Sequence, residues 1–187
     1  MTDALTDALT DAQTQPLVVL VGAPGAGKTT VGRLVAEARG VAFRDTDADI
    51  EAAAGTPISD IFFDSGEDHF RALERAAVAT ALAEHEGVLA LGGGAVLADE
   101  TRELLRGHHV VFLAVGLSDA ATRVGMAASR PVLTLNPRAA LKVLLDARLP
   151  LYRDVATAEV PTDGRSPQDV AADVLQTLTT ESPGTSS

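Results

Sequence analysis

Eight consecutive residues, Gly22-Ala23-Pro24-Gly25-Ala26-Gly27-Lys28-Thr29, match the pattern G-x-x-x-x-G-K-[ST] in full. They follow a short apolar run, Leu17 to Val21 (LVVLV). They precede a stretch, Thr29 to Arg39, in which Val31, Leu34, Val35 and Ala38 recur at helical spacing up to a stop at Gly40. A strand, a glycine loop and a helix in that order give the motif its physical meaning. Glycines 22, 25 and 27 let the backbone wrap a polyphosphate with N–H groups turned inward, at a helix N-terminus whose dipole favours anions. Lys28 neutralises the β- and γ-phosphates, and the Thr29 hydroxyl ligates Mg²⁺. The nucleotide-binding set is Gly25, Ala26, Gly27, Lys28, Thr29 and Thr30, the last also suited to packing or capping. The competing reading is an ordinary glycine-rich turn, and the flanking strand and helix weigh against it.

The rest of the chain repeats the alternation. Val41 to Asp45 reads as a second strand, Ala48 to Ala54 and Ile58 to Phe63 as short helices, and Asp68 to His85 as a longer one. Val88 to Leu91 is an apolar run closed by Gly92, Gly93 and Gly94. Val110 to Val115 follows as a strand and Asp119 to Ala128 as a helix. Arg130 to Arg138 reads as a proline-bearing loop and Ala139 to Leu149 as a helix. Ala156 to Val160 is the last strand and Gln168 to Leu178 the last helix. Alternating strands and helices predict an α/β fold of three layers, αβα, around a central parallel sheet of about five strands. Ligands in such folds sit beyond the carboxyl ends of the strands. A chain of 187 residues suits one such domain, expected over residues 16–180. Residues 1–15 repeat a TDAL-like unit and read as a disordered leader; residues 181–187 (ESPGTSS) read as a disordered tail.

Composition narrows the chemistry. Asp and Glu total 26 against 15 Lys and Arg, a net charge of −11, which argues against nucleic acid or an anionic membrane as partner. A few arginines can still converge on a small anion. There is no cysteine, so disulfides, thiolate metal sites and a cysteine nucleophile are excluded, and the four histidines show no metal-ligand spacing. No apolar stretch approaches the roughly 20 residues of a spanning helix, and the first residues lack the regions of a signal peptide. A cytoplasmic monomer is expected.

Many phosphate-loop proteins place a metal-binding acid at the end of a later strand, but Val88 to Leu91 ends in glycines. The substitute is Asp45-Thr46-Asp47. Two residues apart in extended backbone project to one side, so Asp45 and Asp47 can both face the phosphates. One would organise Mg²⁺ through its water shell and the other accept a bond from an attacking hydroxyl. A polar turn with helix-capping aspartates, for which Asp47 or Asp49 suits well, remains the alternative.

From Val18 to about Leu178 the chain resembles the shikimate kinase family. The resemblance is carried by the phosphate loop and its Lys-Thr-Thr-Val-Gly-Arg-Leu continuation, Asp45-Thr46-Asp47 with Ile50-Glu51, and Ile61-Phe62. It continues through Gly66-Glu67 with Phe70-Arg71 and Glu74, Gly92-Gly93-Gly94-Ala95-Val96, Arg130-Pro131, and Arg148 before Pro150-Leu151-Tyr152-Arg153. The order and spacing of these elements are far more specific than the nucleotide motif alone. The resemblance implies transfer of the ATP γ-phosphoryl group to the 3-hydroxyl of shikimate, in aromatic amino acid biosynthesis, on a phosphate-loop kinase fold with a mobile lid over about residues 126–138. It implies ATP as co-substrate, Mg²⁺ as cofactor, and Lys28, Asp47 and Arg130 as catalytic residues. Thr29 and, through water, Asp45 would hold the metal. Asp47, Arg71, Gly92, Gly93, Gly94 and Arg148 would line the acceptor pocket, with Arg71 and Arg148 clamping the carboxylate in planar, bidentate fashion. Arg123 on one side, and Arg165 with Pro167 on the other, would hold adenine.

For Arg71 alone, an exposed helical ion pair with Glu67 or Glu74 competes. Ala90 and Leu149 depart from the family pattern, which often has a hydroxyl residue and an acid there, and Gly125 to Ser129 is less polar than usual. Runner-up functions are a related small-molecule kinase, acting on gluconate or a nucleoside monophosphate, and a nucleotide-dependent switch. The switch reading is weakened because a guanine-reading N-K-x-D element is missing.

Overall fold

Five short strands set the frame: β1 (Val18–Val21), β2 (Phe43–Asp45), β3 (Val88–Ala90), β4 (Val110–Ala114) and β5 (Ala158–Pro161). In this computed structural model, which describes residues 14–126 and 136–180, they pair in the order β2-β3-β1-β4-β5. Every pairing is parallel. Most of the expected leader, the tail and the centre of the expected lid, Arg130 included, lie outside the described residues.

The helices are α1 (Lys28–Arg39), α2 (Thr46–Ala54), α3 (Ile58–Glu84), α4 (Asp99–Leu105), α5 (Leu117–Met126), α6 (Pro137–Val155) and α7 (Pro167–Thr180). Because strand side chains alternate, the sheet has two apolar faces. Val18, Leu20, Val111 and Leu113 pack with Val31 and Val35 of α1 and with Val170 and Val174 of α7. Val19, Val21, Leu89 and Phe112 pack with Val78 and Leu82 of α3, Leu105 of α4 and Tyr152 of α6. That double cover explains the continuous apolar reading of β1, and it gives the three layers expected from the sequence. A smaller cluster of Ile50, Ile61 and Phe70 joins α2 to the first half of α3. Among the described residues no helix is long and apolar enough to cross a membrane.

The boundaries differ from the sequence reading where local geometry intervenes. β2 begins at Phe43 because Val41 donates its N–H back to Ala36, closing α1 behind Gly40 in a left-handed turn (φ 65°). The two helices expected over Ile58 to Phe63 and Asp68 to His85 form one element with a break at Gly66 (φ 82°, ψ 173°). α6 runs through Pro150 to Val155, beyond the expected end at Leu149. α4 and the 3₁₀ turn Ala95–Leu97 have no counterpart in the sequence reading. α4 buries only Thr101 and Leu105, too little to register as periodicity.

Candidate active site

The loop from β1 to α1 turns on glycines that other residues cannot replace. Gly27 caps α1 at φ 89°, and Gly25 sits at φ 82° where an added Cβ would lie 3.1 Å from the Ala120 carbonyl of α5. Lys28 arches back over the loop, its Nζ donating to the carbonyls of Gly22 (2.7 Å) and Ala23 (3.2 Å). Beside it, the Thr29 hydroxyl donates to Asp45 Oδ2 at 2.8 Å. The other oxygen of Asp45 accepts the Asp47 N–H at 3.0 Å and so caps α2.

The cap is thus Asp45 and not Asp47 or Asp49, which lie inside the first turn of α2, while Asp45 also lines the cleft beside Thr29. Asp47 reaches the same place by a different route from the extended spacing expected. β2 ends at Asp45 and α2 starts at Thr46, so Asp47 stands in the first helical turn. Both aspartates line a cleft of about 370 Å³ together with Gly25, Gly27, Lys28, Thr29, Thr30, Gly93 and Arg123. Ala26 lies buried behind it. Between the aspartates, Thr46 is fully buried and accepts the Gly92 N–H at 3.1 Å, tying the start of α2 to the glycine turn after β3.

Each glycine of that turn is pressed by a different group. A Cβ on Gly92 would collide with Asp47 Oδ1 and come within 2.9 Å of Glu74 Oε1; one on Gly94 would collide with Arg71 Nη1; one on Gly93 would meet Pro24 of the phosphate loop at 3.0 Å. The Gly93 carbonyl accepts from Arg148 Nη1 (3.1 Å) and from the Tyr152 hydroxyl (2.5 Å), both on α6. Arg71 donates to Glu74 Oε2 at 2.6 Å and to Glu67 Oε1 at 3.0 Å. The ion pair foreseen for Arg71 therefore forms, but Glu74 is only 3% exposed, so this is no solvated surface pair. Burial pushes the Glu74 carboxyl up, Arg71 and Arg148 pull it down, and the charge of Asp47 pushes it up again. The four charged groups are within electrostatic reach of one another around three glycines.

The sequence reading did not place Glu74 or Tyr152 in a site. Both belong to the stretches that carry the family resemblance; Glu74 further stands three residues after Arg71 on a helix, and Tyr152 four after Arg148.

At the other end of the cleft, Arg123 donates to the Gly25 carbonyl (3.1 Å), to the Thr162 carbonyl (2.9 Å) and to Asp119 Oδ2 (3.2 Å). Asp119 Oδ2 also accepts the Gly164 N–H at 2.8 Å, which fastens the loop after β5 to α5. Arg165 instead bonds Asp173 Oδ2 at 2.7 Å and the Pro161 carbonyl at 3.1 Å, and neither it nor Pro167 is among the residues lining the cleft. No group of three or more acidic, histidine or cysteine side chains is placed to hold a metal among the described residues. Thr29 Oγ1 and Asp45 Oδ2, joined by their hydrogen bond, are side-chain oxygens beside the phosphate loop that could hold a cation.

Comparison with known proteins follows the same lines. The family described as Shikimate kinase matches residues 24–179. The shikimate kinase of Salinispora tropica is 66% identical over 163 residues, covering 87% of this chain and 98% of its own. That of Saccharopolyspora erythraea is 58% identical over 167 residues, covering 89% and 95%. Among solved structures, the shikimate kinase from Acinetobacter baumannii in complex with shikimate aligns with a TM-score of 0.86 at 37% identity, over 91% of this chain and 96% of that one. A gluconokinase from Sinorhizobium meliloti reaches 0.52 at 23% identity over 91% and 99%, a likeness of fold alone. With a family match over most of its length and relatives this similar, the chain belongs to the shikimate kinase family.

Proposed function

We propose that the chain transfers the γ-phosphoryl group of ATP to the 3-hydroxyl of shikimate, giving shikimate 3-phosphate and ADP. The observation that carries this reading is the convergence of Asp47, Arg71 and Arg148 on Gly92-Gly93-Gly94, with Gly93 against Pro24 of the phosphate loop. An acceptor with a carboxylate and several hydroxyls needs cationic forks for the acid and acceptors for the alcohols. The two arginines and Asp47 are that set.

The phosphates lie along the loop N–H groups and the N-terminus of α1. Lys28 exchanges its two carbonyl partners for phosphate oxygens, and the Ala23 carbonyl keeps the Ala26 N–H at 3.1 Å. The oxygens of Thr29 and Asp45 suit Mg²⁺, a hard cation that keeps most of its water and, when bound with the nucleotide, neutralises phosphate charge. Asp47, held in the first turn of α2, accepts a bond from the attacking hydroxyl and takes up its proton as the new P–O bond forms and the bond to ADP breaks; a loose transition state asks for position as much as for basicity. Arg130, by its Arg-Pro match, supplies a further cation to the transferring group. Arg123 flanks the base, with Arg165 and Pro167 assigned to its other side, where Arg165 must first leave Asp173. On charge grounds we assign neither nucleic acid nor membrane as partner, and we place the protein in the cytoplasm as a monomer.

Coupled measurement of ADP release tests the assignment. Turnover is expected to require shikimate and to be absent with gluconate or nucleoside monophosphates; turnover indifferent to shikimate would refute it. Asp47→Asn is expected to lower kcat by roughly 10²- to 10⁴-fold while ATP affinity stays within about twofold. Near-normal turnover in that variant removes Asp47 from its role.

A further inference from the structure

Two donors from one helix converge on a single backbone oxygen. Tyr152 Oη lies 2.5 Å and Arg148 Nη1 3.1 Å from the Gly93 carbonyl oxygen. The two residues are four apart on α6, so their side chains share a face of that helix. A carbonyl oxygen has two lone pairs, and both are engaged here.

The two donors differ in how firmly they are held. Tyr152 is 2% exposed, and its ring stacks on Phe112 with centroids 5.1 Å apart and planes 18° from parallel. Phe112 belongs to β4 and is in register with Val21, the residue that leads into the phosphate loop. Burial pushes the phenol up to about 12, so it stays a donor at any assay pH. Arg148 is only partly buried, on a long side chain with five donors. A core ring with no task for its hydroxyl would be served equally by phenylalanine. This hydroxyl spends its one proton on the turn that lies between the acceptor pocket and Pro24.

We propose that Tyr152 is a positioning residue for the acceptor site: by filling one lone pair of the Gly93 carbonyl from beside Arg148, it fixes the turn and limits Arg148 to a single donor on that carbonyl, so that the fork faces the acceptor's carboxylate. The proposal rests on the reading of Arg148 as part of the carboxylate clamp. Without the phenol, the same carbonyl would draw a second donor from Arg148 and turn the fork away from the pocket.

The test is Tyr152→Phe, which keeps the stacked ring. Its shikimate KM is expected to rise roughly tenfold, one charge-assisted hydrogen bond's effect, with kcat and ATP KM within about twofold and Tm lowered by about 2–4 °C. Phe112→Leu, which loosens the same stack but keeps the phenol, should lower Tm at least as far while leaving shikimate KM within twofold. In an Arg148→Ala background, adding Tyr152→Phe should change shikimate affinity, read by calorimetry, less than twofold. An unchanged shikimate KM in Tyr152→Phe, an equal rise in ATP KM, or additive losses with Arg148→Ala would overturn the proposal. A wild type that turns over shikimate beside an indifferent Tyr152→Phe removes only Tyr152; a wild type that ignores shikimate removes the acceptor assignment with it.

Discussion

Glu74 holds Arg71 at 2.6 Å from a position 3% exposed, beside the acidic Asp47. Burial, the largest cause, raises its carboxyl above the ordinary value of 4.5 in spite of the arginines. The sign of the consequence follows from proton counting: above that value the unfolded chain has released a proton that the folded chain still partly holds, so folding loses stability as pH rises through the interval. Glu74→Gln has no such proton. The Tm difference, variant minus wild type, is therefore expected to grow as pH is raised through and above 4.5 in thermal melts, and a difference that stays flat or falls from there would contradict the burial argument. The same change removes a charged partner from Arg71, and shikimate KM should rise roughly tenfold. A residue of this kind is hard to read from sequence. Lys28 and Thr29 were legible because the whole phosphate loop is local, eight residues in a row with a strand before and a helix after. Glu74 and Tyr152 stand inside stretches that carry the family resemblance, but the places they take, on Arg71 beside Gly92 and on the Gly93 carbonyl, depend on chain segments that only the fold brings together.

Gly66 decides the shape of α3. Its φ of 82° and ψ of 173° fall in a region open essentially to glycine, and an added Cβ would meet nothing within 4 Å. The cost of Gly66→Ala is thus one of backbone conformation alone, about 1–3 kcal/mol, read as a Tm fall of about 2–4 °C per kcal/mol. Because Glu67 and Arg71 begin immediately after the break, shikimate KM should rise with it while ATP KM holds. A Gly66→Ala protein with unchanged Tm and unchanged KM would show that α3 straightens at no cost. The sequence reading separated the two halves of α3 because glycine interrupts the helical pattern there. It found β1, β3 and β4 through their unbroken apolar runs, which burial on both faces requires. The edge strands β2 and β5 shifted by two residues at their starts, since fewer neighbours fix them and helix ends compete for the same residues. α6 was cut short at Pro150, where the rule that proline ends a helix lost to the packing of Tyr152 in the core.

The strand order explains how an acidic molecule can set the proposed acceptor site beside the proposed polyphosphate site. β1 lies between β3 and β4, and β3 lies beside β2. The carboxyl ends of three neighbouring parallel strands therefore deliver the phosphate loop, Asp45 with Asp47, and the glycine turn to one edge of the sheet. The guanidinium groups come from helices on the opposite side of that turn, Arg71 from α3 and Arg148 from α6, so the net charge of −11 does not govern the pocket. In the proposed function the phosphates rest on the backbone of one β-loop-α unit, whereas the acceptor needs α2, α3, α6 and the turn to keep their places together. Ligand linkage separates the two. A ligand at 100 times its Kd adds about 2.7 kcal/mol to folding, a Tm rise of roughly 5–10 °C for a chain of this size. Shikimate alone and ATP with Mg²⁺ alone should each give such a rise at that saturation. A cyclohexene triol lacking the carboxylate, at the shikimate concentration, should give under about 1 °C, because the two guanidinium groups have nothing to pair with. Arg71→Ala and Arg148→Ala should each weaken shikimate binding, so that the rise shrinks at the same shikimate concentration, and keep the nucleotide rise, since neither touches the phosphate loop. If both rises disappeared together in either variant, the glycine turn would be a structural support of the phosphate loop, and the division of the cleft into a backbone site and a guanidinium site would fail.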